Sequence, residues 1–195
     1  VQNVVELNLH KLGQQERIEE QAAKLRESNA VMVDALSSII EYRSVETGQH
    51  IQRIRMFTRV LLEEVARCCP EYGLDVRRID MISSASSMHD IGKIGIPENI
   101  LNKEGKLTDE EYDAMKRHVE SSVEIIRHLP SMDYVIPAVL GHHERFDGKG
   151  YPRRIAGKDI PLAARILCVA DSFDAMVSKR CYKPSMSVEF AVGEL

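Results

Sequence analysis

"SSMHDIGKIG", residues 86–95, sets a histidine beside an aspartate and a lysine three positions further on. Two readings are open. His89 and Asp90 are ordinary polar residues at a helix end, or they hold a metal, and the surrounding chain exists to bring them further ligands. The residues on either side have to decide.

The chain has 195 residues, which suits one domain or one domain with an attached arm. Hydrophobic residues make up 44% and charged residues 29%, as in an ordinary soluble globular chain. Aromatics are 5% and Trp is absent, so the core must come from Leu, Ile, Val, Met and Ala. The net charge of -4 argues against a grip on a nucleic-acid polymer, which wants a basic surface. It leaves room for one small anionic ligand held by local positive charge. Cys68, Cys69, Cys168 and Cys181 form no C-x-x-C pair, so no thiolate zinc site is expected. They read as small buried apolar side chains in a reducing compartment. No run reaches the length of a membrane span and no signal peptide is visible. The chain reads as a piece of a longer protein, cytoplasmic or the cytoplasmic portion of a larger sensor.

Downstream of residue 41 the pattern is helix after helix. Ile51, Ile54, Leu61 and Val65 recur at helical spacing over 48–68, before Pro70. A second helix is expected over 76–89. "TDEE" at 108–111 is a capping box that opens a helix running to about His128. A shorter helix covers 132–142. Residues 144–160, rich in Gly, Pro and charge, form a long loop, and Pro161 opens a helix to about Ser178. No period-two alternation lasts long enough for a strand. The fold class is all-α.

Residues 1–41 differ in texture. Ile18, Ala22, Leu25, Met32, Leu36 and Ile39 step by four and three, with Asn29 in the missing place. That is a heptad seam with one polar residue, the pattern of a two-stranded coiled coil. Val5, Leu9 and Leu12 continue it in another frame, with a stutter near Gly13. The alternative is one amphipathic helix packed on its own domain. A homodimer through this helix is expected, as is a sensor or receiver domain upstream.

Five of the seven histidines keep suggestive company. His50 lies four residues after Glu46, on the same helical face. His118 sits mid-helix, His142 and His143 are adjacent where a helix yields to the loop, and Asp171 is a carboxylate within an apolar helix. His10 and His128 stand alone. Each signal is weak by itself, but five imidazoles with three carboxylates exceed what one metal needs. Imidazole and carboxylate without thiolate suit Fe or Mn and leave Zn and Ni open. Two such ions lower the pKa of a shared water and hold a phosphate oxygen. Lys93, about one turn after Asp90, then suits a phosphate oxygen.

At this point the residues become recognisable. "HDIGKIGIPENIL", "GKLTDEEYDAMKRH", "GHHERFDGKGYP" and "IPLAARILCVADSFDAM" together closely resemble the HD-GYP domain, a branch of the HD metal-dependent phosphohydrolases. The resemblance covers Tyr42 to Leu195. It implies an HD-type bundle of at least five helices, preceded here by the coiled-coil-like helix. It implies hydrolysis of cyclic di-GMP to pGpG or GMP in bacterial signalling. By motif position the metal ligands are His89, Asp90, His118, His142, His143 and Asp171, with Glu46 and His50 in the place of a third metal's ligands. Two or three divalent ions are therefore expected, Fe or Mn first, with Zn, Ni or Mg open. His89, Asp90 and Lys93 are the catalytic set, and Lys93, Asp174, Arg180 and Lys183 match substrate-contacting positions.

In the loop, Gly148 and Gly150 allow unusual backbone shapes. Tyr151 either stacks on a guanine or packs under the loop, and Arg145 either pairs with Asp147 or faces phosphate. Lys149, Arg153, Arg154 and Lys158 either draw in a dianion or form a solvated surface. The pattern's usual glycine four residues after the lone histidine is Ser122 here. The family domain also continues beyond Leu195. Two other functions compete: a nucleotide-binding or partner-docking module without turnover, and a phosphodiesterase for another cyclic dinucleotide.

Overall fold

A computed structural model describes residues 2–44, 49–129, 132–178 and 185–195; for residues 2–9, Arg26, Ala30, Glu41 and Asp133 it describes the backbone alone. Glu46, Arg180, Cys181 and Lys183 lie outside the described residues. Within them the regular elements are all helical. The α-helices are α1 (Gln2–Arg43), α2 (His50–Cys68), α3 (Val76–Ala85), α4 (Glu98–Leu101), α5 (Asp109–Lys116), α6 (His118–Arg127), α7 (Ile136–Gly141), α8 (Leu162–Val177) and α9 (Val188–Glu194).

α2 is the central strut. Ile51, Ile54, Thr58 and Leu62 form its buried stripe at steps of three and four, with His50 at its head. That stripe packs against α3 and α8. Ile54 meets Ala138 and Leu167, and Leu62 meets Ile79 and Ile166. Burying each of these larger aliphatic side chains contributes about 1.5–3 kcal/mol. α7 lies between α6 and α8. A second core, around Met88, Ile91, Ile126 and Val139, underlies the HD turn.

The long N-terminal helix forms without interruption, and Gly13 does not break it. The expectation for its faces divides. Ile18, Leu25, Met32 and Ile39 on the heptad seam are exposed, while Val33, Ser37 and Ile40 on the adjoining face are buried in the domain core. Val5 and Leu9 are among the residues described by backbone alone. The core thus draws on residues upstream of position 42. The end of α1 also grips the turn beneath it. The Ser37 hydroxyl donates to the Ser87 carbonyl (2.7 Å), and the Arg43 guanidinium donates to the carbonyls of Ile94 (2.6 Å) and Ile96 (2.9 Å).

Three expected helices divide, the 132–142 helix into a 3-10 turn at Asp133–Val135 and α7. The 76–89 helix is capped by Asp75, which accepts from the Arg78 N–H at 2.7 Å, and its α-helical part stops at Ala85. Ser86–Met88 tighten into a 3-10 turn, where the Ser86 hydroxyl takes the Ser83 carbonyl. The 108–128 helix opens on the expected Thr108/Glu111 capping box but breaks at Arg117. There the Arg117 N–H bonds the Ala114 carbonyl three residues back, and the His118 ring takes that of Met115. The expectation of buried cysteines fails for Cys68, which is exposed, and Cys69 and Cys168 are half-buried. Cys68 lies on the outer side of α2, away from its buried stripe, and bonds the Glu64 carboxylate. No helix among the described residues is long and apolar enough to cross a membrane.

Candidate metal centre

The HD turn delivers His89 and Asp90 from the end of the α3 segment, His118 opens α6, His142 and His143 follow α7, His50 heads α2, and Asp171 sits within α8. These seven side chains form two groups whose candidate ligand atoms lie within 4.8 Å of one another. One group is Asp90, His118, His142 and His143; the other is His50, His89 and Asp171. Asp90 links them, with Oδ1 3.3 Å from His118 Nε2 and Oδ2 3.2 Å from His89 Nε2. Lys93, in the 3-10 turn Ile91–Gly95, puts its ammonium 2.7 Å from Asp90 Oδ2. His10 and His128 are exposed and join neither group.

The rings are oriented from behind. Nδ1 of His89, His118 and His142 bonds the carbonyl three residues earlier, Ser86, Met115 and Val139 respectively. A ring that donates from Nδ1 presents a bare Nε2 lone pair to the centre. Nε2 of His89, His118 and His142, together with Asp90 Oδ1, is buried and has no hydrogen-bond partner. An orphaned buried polar atom costs about 1–3 kcal/mol. Three of these atoms, from Asp90, His118 and His142, belong to one group and the His89 nitrogen to the other, and imidazole nitrogens with carboxylate oxygens match the donor chemistry of divalent cations.

The electrostatics agree. Burial pushes His118 below its ordinary value. Burial and the neighbouring His143 push His142 well below it, and burial brings His143 down to about 3. These three rings stay neutral and keep lone pairs. Burial also opposes charge on His89, but the adjoining Asp90 outweighs it and lifts the ring to about 9. Burial works against the Asp90 carboxylate too, yet His89 and Lys93 hold it well below the usual range.

Asp174, matched by resemblance to a substrate-contacting position, lies within a hydrogen-bond network. Asp174 is fully buried and accepts from Arg53 Nη2 (3.0 Å), Arg53 Nε, the Ser178 hydroxyl (3.0 Å) and the His50 ring at 2.7 Å. It orients His50 rather than facing an open side. Arg145 pairs with Asp147 in a two-pronged contact (3.1 and 2.8 Å). Tyr151 lays its ring on His143, with centroids 4.7 Å apart and planes at 27°, and Tyr112 meets it edge-on. Burial pushes the Tyr151 phenol up, so it stays protonated. Lys149, Arg153, Arg154 and Lys158 are exposed.

Sequence reasoning missed Glu144 and Arg53. Glu144 is buried, and its Oε1 accepts from the backbone N–H groups of Arg153 (2.6 Å) and Arg154 (3.1 Å). It ties the GYP loop down over His143. Its signal was adjacency to the paired histidines. Arg53 carried one too, three residues after His50 on the same face of α2.

Fold and site together define a helical protein built around a cluster suited to divalent metal. The chain belongs to the HD domain family, whose profile matches residues 34–195, and to its HD-GYP branch. Among curated relatives, a 3'3'-cGAMP-specific phosphodiesterase 2 of Vibrio cholerae is 44% identical, covering 82% of this chain and 30% of that protein. A cyclic di-GMP phosphodiesterase of the same organism is 38% identical over 84% of this chain and 35% of the relative. One from Thermotoga maritima is 39% identical over 84% and 43%. The chain thus spans less than half the length of these relatives.

Proposed function

We propose that this chain is the catalytic part of a metal-dependent phosphodiesterase that opens a cyclic dinucleotide, cyclic di-GMP first, to the linear dinucleotide or onward to the mononucleotide. The observation that carries this reading is the meeting of two ligand groups at Asp90 with Lys93 against the same carboxylate. His89, Asp90, His118, His142, His143, Asp171 and His50 would hold two divalent ions, Fe or Mn by donor type. Glu46 would join His50 in holding a third ion. Bound ions supply Lewis acidity toward a phosphate oxygen and toward water. The protein's own groups do the rest. Lys93 brings positive charge to where the phosphate charge develops. Carbonyl-bound Nδ1 atoms fix the rings, Asp174 fixes His50, and Tyr151 covers His143. Exposed loop cations draw a dianion toward an acidic protein. Arg180 and Lys183 would add substrate contacts from the segment after α8.

The similarity to a cGAMP-specific relative favours a second substrate, the mixed cyclic dinucleotide. Purified protein with Mn or Fe should convert one of the two, and comparing kcat/KM across them ranks the substrates. His89→Ala and Asp90→Ala should reduce turnover to background. Unchanged substrate from fully metallated protein overturns the reading. A cytoplasmic homodimer paired along the exposed α1 seam, downstream of a sensor or receiver domain, completes the proposal.

A further inference from the structure

We propose that Ser122 is a positioning residue that sets the spacing between the HD turn and α6, and with it the metal affinity of the Asp90, His118, His142 and His143 group. The inference rests on reading that group as a metal site. Ser122 is fully buried. Its hydroxyl donates to the His89 carbonyl at 3.0 Å and accepts the Gly92 N–H at 2.8 Å. One oxygen therefore closes both ends of the turn His89–Gly92, and Asp90 lies inside that turn.

The same helix carries the ligand that Asp90 must meet. Ser122 follows His118 by four residues on α6, so ligand and brace share one helix face. There is no slack between the two elements. A Cβ on Gly92 would lie 2.0 Å from the His118 carbonyl oxygen and 2.5 Å from the Ser122 nitrogen. The turn thus rests directly on the α6 backbone, and the hydroxyl satisfies the two turn groups that face it. Removing it leaves a buried N–H and a buried C=O without this partner, and the turn must shift to find others. Asp90 Oδ1, 3.3 Å from His118 Nε2, moves with the turn.

The other group is tied less closely to that shift, since only the His89 backbone joins it to the brace. His50 and Asp171 come from α2 and α8, and the His89 ring is held separately by the Ser86 carbonyl at 2.7 Å.

The test is titration of the metal-stripped full chain with Mn2+ alone, by calorimetry against a competing chelator, for the wild type and for Ser122→Ala, Ser122→Gly and Ser122→Cys. The wild type should show two classes of site. In Ser122→Ala and Ser122→Gly one class should weaken about 10–100-fold, the usual cost of losing a group that orients a ligand, while the other weakens less. Ser122→Cys fills the space but hydrogen-bonds weakly, so it should behave like Ser122→Ala. Ser122→Gly introduces no new atoms, which guards against a variant that fails to fold for steric reasons. Wild-type affinity at both classes in Ser122→Ala and Ser122→Gly, or full recovery in Ser122→Cys, overturns the proposal and leaves Ser122 as packing. A wild type that takes up no Mn2+ overturns the metal centre and this inference together. Wild-type metal binding without turnover of any cyclic dinucleotide overturns only the proposed activity.

Discussion

Gly92 shows how much can depend on one missing methyl group. With backbone at 2.0 Å from its would-be Cβ, Gly92→Ala cannot be absorbed by a side-chain movement. We expect a loss of about 3 kcal/mol or more in chemical denaturation, at the upper end for overpacking. Gly150 is similar: its would-be Cβ falls 2.3 Å from the Arg145 nitrogen, so the loop needs glycine there for closeness, whereas Gly148 needs it for a φ of 75°. Glu144→Ala should cost about 1–3 kcal/mol, because two part-buried backbone N–H groups lose their acceptor. Glu144→Gln retains an acceptor oxygen and should cost about half as much in the same measurement. At this scale the residues of the two clustered groups were legible, since imidazole and carboxylate are rare in such numbers and the motif orders them. Glu144 and Arg53 were not, because what each does depends on backbone or a carboxylate brought in from elsewhere.

Among the elements, α1 performs two tasks on adjoining faces. Ile40→Ala should destabilise the domain by about 2–5 kcal/mol by chemical denaturation, since Ile40 is core. Leu25→Asp on the exposed seam should leave domain stability within about 0.5 kcal/mol. It should nevertheless convert a dimer to a monomer by light scattering. A monomeric wild type would remove the dimer. The heptad period exposed the seam to sequence reading, but the packed face is short and includes Ser37, so period alone could not show it. α2 and α8 are joined through Asp174. Asp174→Asn should cost about 3 kcal/mol in denaturation of the metal-free protein, the lower range for breaking a buried ion pair, since Arg53 remains partly exposed.

In the whole molecule, the site is the place where separate helices converge on like chemistry. Neutral imidazoles and orphaned acceptors in one interior are a strain that a cation relieves. Mn2+ at a hundred times its dissociation constant should therefore stabilise the fold by about 2.7 kcal/mol. That corresponds to a melting-temperature rise of roughly 5–10 °C for a domain of this size, reversed by chelator. An unchanged melting temperature would count against a site linked to folding. The all-helical class, the principal helix stripes and the histidines and carboxylates that gather into the two groups were marked by sequence alone, because periodicity, side-chain chemistry and motif order are local properties. Tertiary structure alone decided where the helices break at Ala85 and Arg117, that Asp174 turns inward to His50, and that Asp90 joins two groups. Those outcomes depend on which carbonyls, rings and cations residues distant in the chain bring within hydrogen-bonding reach, and no local pattern encodes such distances.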